Sequence, residues 1–174
     1  MTSASFSKLD PVVKTISVPC TVTEAFQFFT AGIHQWWPLG GFSVSAERRS
    51  GKAELCAFEP RVGGRIYERS DNGEEYEWGR VLEWNPPQSL RFTWYPARTA
   101  ETAQEIEVTF AEEDAQTRIT LMHSGWEKLG ERAQTAREQY RKGWDTVFGE
   151  CYGNFARAEQ EKRQRGMTVE SSVL

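Results

Sequence analysis

Two basic side chains, Arg80 and His123, are the residues best suited to handle an anion or a proton. Arg80 lies within Tyr76-Glu-Trp-Gly-Arg-Val-Leu-Glu-Trp84. Period-two alternation there puts Tyr76, Trp78, Arg80, Leu82 and Trp84 on one strand face. A guanidinium on an apolar face needs a partner, because an unpaired buried charge is costly. The partner is either internal, Glu59 or Glu68, or a carboxylate, phosphate or phenolate of a ligand; otherwise Arg80 reaches solvent at the strand end. His123 alternates with Ile119 and Leu121 and shares their face. An ordinary imidazole, with a pKa near ~6.5, suits proton transfer at neutral pH. A lone His on an apolar face equally reads as a satisfied core residue. No Ser, Cys or Asp near it in sequence completes a nucleophile arrangement. Glu59 and Arg61 flank Pro60 ahead of Val62-Gly-Gly64. This reads as a turn with a local ion pair, or as a carboxylate at a cavity mouth. The glycine pair lacks the spacing of a phosphate loop.

Aromatic residues are 13% of the 174-residue chain and include seven Trp. Trp37, Trp78, Trp84, Trp94, Trp126 and Trp144 are either core rings or the walls of a cavity. Six large rings fill a tight interior poorly, which favours a gap between them. With Tyr67, Arg80, Phe92, His123 and Phe148 they make up the candidate ligand-binding set.

The elements that must position these groups follow from local pattern. Pro11 to Val18 is short and β-branched and predicts a strand. Thr21-Val-Thr-Glu24 has the form of a capping box. It opens a helix that ends near Ala31–Gly32, followed by a short helix stopped by Pro38. From Gly41 to Ser124, short runs separated by turn residues predict an antiparallel meander of about six strands. Leu90, Phe92 and Trp94 share one face, as do Ile106, Val108 and Phe110, so one face is buried and the other wet. Residues 133–164 carry a helical stripe of Tyr140, Trp144, Val147, Phe148, Cys151, Tyr152 and Phe155. Gly143, Gly149 and Gly153 lie inside it, either for close packing or to leave room beside a bound molecule. The expected class is α+β: a curved antiparallel sheet of six to seven strands around a long C-terminal helix, with two short helices after strand 1. Residues 11–164 form one domain, with a flexible leader over 1–10 and a flexible tail over 165–174.

Composition narrows the function classes. A formal net charge of −4 argues against a nucleic-acid-binding surface. No apolar run reaches the ~18 residues of a membrane span, and no signal peptide opens the sequence. Three widely spaced cysteines, Cys20, Cys56 and Cys151, fit neither a disulfide framework nor a zinc site and suggest a cytoplasmic setting. No metal or cofactor is expected.

Five segments in order resemble one family. Phe58-Glu-Pro-Arg-Val-Gly-Gly-Arg-Ile-Tyr-Glu68 is similar to the D/E-P-R-x-G-G turn and strand of the SRPBCC (START-like, helix-grip) superfamily. Gly79-Arg-Val-Leu-Glu-Trp-Asn-Pro-Pro-Gln-Ser-Leu-Arg-Phe-Thr-Trp94, Thr117-Arg-Ile-Thr-Leu-Met-His-Ser-Gly-Trp126, Gly143-Trp144 and Trp36-Trp37-Pro38 resemble motifs of its branch named after the heat-shock-protein ATPase activator. The resemblance spans about residues 11–156. It implies a helix-grip fold with a hydrophobic cavity between sheet and C-terminal helix. Members bind lipids, hormones or polyketides, and some catalyse cyclisation or act on chaperones; homodimers occur. Three functions follow as expectations. The first is binding of a hydrophobic or aromatic small molecule. The second is a cyclase or dehydratase using His123 as base and Arg80 or a Tyr as oxyanion partner. The third is chaperone co-regulation in a stress response, which requires an exposed apolar patch of several hundred Å². Outward-facing Glu77, Glu83, Arg91, Glu105 and Glu107 speak against the third.

Overall fold

The computed structural model of the chain describes residues 8–172, with side chains through residue 167. Seven antiparallel strands form one sheet in the order β1-β7-β6-β5-β4-β3-β2. They are β1 (Val12–Val18), β2 (Ala53–Phe58), β3 (Arg65–Ser70), β4 (Glu75–Asn85), β5 (Ser89–Trp94), β6 (Gln104–Glu113) and β7 (Gln116–Ser124). Three short helices, α1 (Val22–Phe29), α2 (Ile33–Trp36) and α3 (Val44–Arg48), fall between β1 and β2. The sequence reading missed α3. The long C-terminal element comprises α4 (Ala133–Trp144), a π-helical stretch (Asp145–Tyr152) and α5 (Gly153–Ser172). The leader and tail expected to be flexible fall partly on residues 1–7 and 173–174, outside the described residues. Residues 165–172 continue α5, and the Asp10 carbonyl accepts a hydrogen bond from Arg137.

The helix start at Thr21 works by half of the expected box. The Thr21 hydroxyl accepts from the Glu24 amide at 3.1 Å, while the Glu24 carboxylate pairs with Arg163 of α5 at 3.0 Å instead of reaching back. The β6–β7 hairpin turns on Asp114 and Ala115, both at positive φ, as a two-residue turn matched to strand twist requires.

Strand β4 departs from simple alternation. Ile66 pairs with Gly79 and Tyr67 with Glu77, leaving Trp78 as an extra residue; Val81 pairs with Phe92 and Glu83 with Arg91, leaving Leu82 extra. Each bulge shifts the inward face by one residue. The inward residues are therefore Trp78 and Val81, fully buried, and Trp84, packed on Phe26. This overturns the expected face: Arg80 points outward. Gly79, between the bulges, brings β4 unusually close to β5. A Cβ there would stand 1.7 Å from the Thr93 carbonyl oxygen. Gly79→Ala is expected to force the two strands apart and lower stability by about 1–3 kcal/mol. A urea midpoint displaced at constant m-value would report it, and a change below about 0.5 kcal/mol would contradict the close approach.

The middle of the grip is solid. Phe29 meets Trp36, Phe58, Phe110 and Tyr152 with ring centroids 5.2–6.1 Å apart. Phe148 stacks on Tyr152, whose hydroxyl donates to the Ala25 carbonyl at 2.7 Å and ties the C-terminal element to α1. The helical stripe read from sequence is realised here. The winding is π rather than α over Asp145–Tyr152, where Val147, Phe148 and Tyr152 are buried against the sheet.

Candidate functional site

Open space remains at one end of the grip. A cavity of about 690 Å³ lies between Trp78 and Trp94 at the ends of β4 and β5, the loop after β5, the segment from Trp37 to Glu47, and α4 with its extension to Val147. Trp37 is its central ring. It stands 4.9 Å from Trp78, 5.8 Å from Trp94 and 6.1 Å from Trp144, centroid to centroid. Its indole N–H donates to the Phe42 carbonyl at 2.6 Å, which holds Phe42 at the rim. Opposite, Gly143 leaves space: a Cβ there would lie 3.6 Å from the Phe42 ring. Of the three helix glycines, Gly143 is the one that lines the cavity.

Four candidates of the sequence reading meet at this cavity: Trp37, Trp78, Trp94 and Trp144. The others do not. Phe92, Trp126 and Phe148 are buried in the closed core, and Trp84 packs on Phe26. Tyr67 stands on the outer face of β3, with the Arg65 guanidinium 4.1 Å above its ring. Arg80 is also outside, paired with Glu77 at 2.7 Å. Glu59 is not at the cavity mouth. Its carboxylate closes the Glu59–Arg65 turn by accepting from the Arg65 amide at 3.0 Å and from Arg65 Nε at 2.9 Å. A Cβ at Gly64 would lie 2.4 Å from the Glu59 carbonyl oxygen, which accounts for the second glycine of that turn.

His123 is fully buried and sits behind the wall rather than on it. Trp144 Nε1 donates to its Nδ1 at 3.0 Å. That leaves the proton on Nε2, which bonds the Gln104 side-chain oxygen at 3.0 Å. Trp126 lies against the imidazole with centroids 4.2 Å apart and donates to the His123 carbonyl. Burial, helped by the Arg98 guanidinium, pulls the imidazole down to about 3. Both nitrogens are occupied and the ring resists protonation, so His123 is no general base. The expected pairing of His123 with Arg80 does not exist. His123 instead orients Trp144.

The structure gives roles to residues outside the candidate ligand-binding set, among them Glu68, which the sequence offered only as a partner for Arg80. Arg98, in the loop after β5, lines the cavity. It donates to the Thr102 and Trp94 carbonyls at 2.9 and 3.4 Å and to Gln104 Oε1 at 3.3 Å. Tyr140, one turn before Trp144, also lines it, and burial pushes its phenol up from the ordinary range. Its place in the helical stripe was legible, but its role was not. Glu68 is fully buried and braces Trp78: Oε2 accepts from Trp78 Nε1 and the Val44 amide, both at 2.7 Å. Oε1 accepts from the Ser45 amide at 2.8 Å and the Ser45 hydroxyl at 2.7 Å. Burial pushes the Cys20 thiol up to about 11 and the Cys56 thiol to about 12, and both are buried away from the cavity lining.

A seven-stranded antiparallel sheet curled around a long C-terminal helical element is the fold of the SRPBCC superfamily. The profile of the family described as "Activator of Hsp90 ATPase homolog 1-like protein" matches residues 19–151, and the chain belongs to that family. No curated protein matches it. Among solved structures, the anthrahydroquino-γ-pyrone synthase Txn09 is 33% identical, covers 74% of this chain and 84% of its own, and superposes with a TM-score of 0.52. The Aha1 dimer from Colwellia psychrerythraea is 15% identical, over 80% of this chain and 96% of its own, with a TM-score of 0.53. A Chromobacterium violaceum protein is 14% identical, over 86% and 99%, with a TM-score of 0.59. These last two share the fold.

Proposed function

We propose that this protein binds an aromatic small molecule in the cavity walled by Trp37, Trp78, Trp94 and Trp144. The observation that carries this reading is a space of about 690 Å³ at one end of the grip, with the four contacting indoles forming part of its wall. That volume falls within the ~300–1,000 Å³ typical of small-molecule sites, and such sites combine apolar walls with few polar groups. Flat rings stack well on indole faces. The test is quenching of Trp fluorescence by flavone, 2-naphthamide and palmitate. Saturable quenching by the aromatic compounds is expected, and its absence up to millimolar concentration would overturn the reading. Gly143→Leu supplies a control, because it pushes a side chain into the cavity beside Phe42 and also replaces a poor helix former. It is expected to weaken binding at least tenfold while leaving thermal stability unchanged or raised.

A second reading, ring closure of a polyketide-like substrate in the same cavity, is supported by the 33% identical synthase. On that reading Tyr140 and Arg98, not His123 and Arg80, carry the polar contacts. The chaperone reading has less support. Val13, Phe42, Val62 and Met167 are the large exposed hydrophobics among the described residues, and they lie on four separate segments of the chain. No helix among the described residues is long and apolar enough to cross a membrane.

A further inference from the structure

One corner of the cavity, where Arg98, Trp94 and Tyr140 meet, holds more hydrogen-bond donors than acceptors. Arg98 is half-buried, and its partners are the Thr102 and Trp94 carbonyls, the Thr102 hydroxyl and the Gln104 amide oxygen. All of these are neutral. No carboxylate of the described residues lies within ion-pair distance of Arg98 or of Arg132, the other arginine on the lining. Glu47 is the one acidic residue on that lining, and it is exposed. Trp94 is 3% exposed, yet its indole N–H makes no well-formed hydrogen bond. The indole and the Arg98 guanidinium both lie toward the Tyr140 oxygen, so two donors share one neutral acceptor. Gln104 Nε2, on the amide that faces Arg98, is buried without a partner as well. A buried donor left unpaired costs about 1–3 kcal/mol, and a half-buried cation beside aromatic walls gains most from an anion. Tyr140 keeps its proton, because burial disfavours the phenolate, and so adds an O–H to the same corner.

We infer that the ligand is an aromatic compound bearing an acidic oxygen, a carboxylate or an ionised phenol, seated with that oxygen at Arg98 and Tyr140 and its rings among Trp37, Trp78 and Trp144. This rests on the binding reading above and specifies its chemistry. Arg98 supplies the charge, and the bond from its guanidinium to Gln104 fixes its direction. Gln104 is in turn held by the His123 Nε2–H.

The experiment compares 2-naphthoate with 2-naphthamide, which share a ring system and shape and differ in charge. Trp quenching is read for the wild type and for Arg98→Gln, Arg98→Lys and Arg132→Gln, with thermal melts to verify folding. A charge-assisted hydrogen bond predicts that the wild type prefers the acid by about tenfold. Arg98→Gln is expected to abolish the preference by weakening the acid far more than the amide, Arg98→Lys to keep most of it, and Arg132→Gln to leave it. A wild-type preference under fivefold overturns the inference. So does a preference that survives Arg98→Gln, or one lost on Arg132→Gln. In those cases, saturable quenching by both compounds leaves the binding reading standing. If neither compound binds up to millimolar concentration, both fall. Should Arg98→Gln fail to fold, the wild-type ratio and its loss with rising salt still decide the question.

Discussion

Replacing Glu68 by Gln is expected to lower the unfolding free energy by about 3–5 kcal/mol, although the change is isosteric. The carboxylate has four acceptor positions, and all four are taken by donors: two backbone amides, a hydroxyl and an indole N–H. An amide offers acceptors on one side only. Whichever way the substituted side chain turned, its two N–H groups would face two of those donors in a site closed to water. Glu68→Ala removes the clash but leaves the four donors unpaired, so it is expected to be about as damaging. Arg80→Gln is the contrast. Its pair with Glu77 lies on the outer face with the arginine half exposed, and such pairs contribute about 0–1 kcal/mol. Urea unfolding of the three variants orders them. A Glu68→Gln effect below about 1 kcal/mol would show that the carboxylate does not bind these donors as described. Because Trp78 hangs on Glu68 and forms a cavity wall, the folded fraction of Glu68→Gln should also show weakened quenching by aromatic ligands.

The second large effect is a loss of stability in mild acid that belongs to His123. An unfolded imidazole titrates near ~6.5, and burial holds the folded one down at about 3. Above about pH 6.5 both states carry a neutral ring and His123 contributes no pH dependence. Below it the unfolded chain takes up a proton that the folded chain refuses. Stability therefore falls as the pH falls, by about 1.4 kcal/mol per unit, until the folded ring itself titrates. By about pH 5 the loss reaches about 2 kcal/mol. That window lies above the range in which carboxylates such as Glu59 and Glu138, both held low by arginine hydrogen bonds, begin to contribute. His123→Gln can still accept from the Trp144 indole and donate to Gln104. It is expected to be less stable at about pH 8 but level between about pH 6.5 and 5. A wild-type protein whose urea midpoint does not move over the same interval would contradict a buried neutral imidazole.

The sequence by itself determined the class of fold, the order of its elements and the inward stripe of the C-terminal element. These depend on local periodicity and turn chemistry, which single segments carry: alternation in β5 and β6, Thr21 at the first helix, the stripe from Tyr140 to Phe155. It also marked four of the indoles that wall the cavity. The tertiary structure alone decided which aromatic rings close the core and which leave space. That choice turns on distances between elements far apart in the chain. Arg80 shows why. Alternation placed it inward, but two bulges in β4 spaced the inward residues by three, and bulges arise from pairing with β3 and β5, not from β4 itself. Gly79 was the local trace of them, a glycine inside a strand pattern. His123 was put on the correct face, yet its chemistry was set by Trp144 and Gln104, which bracket it from another helix and another strand. Arg98 and Glu68 carry no local pattern. One is made useful by the absence of a counter-ion among the described residues, the other by four donors gathered from distant segments. Both are properties of the folded environment.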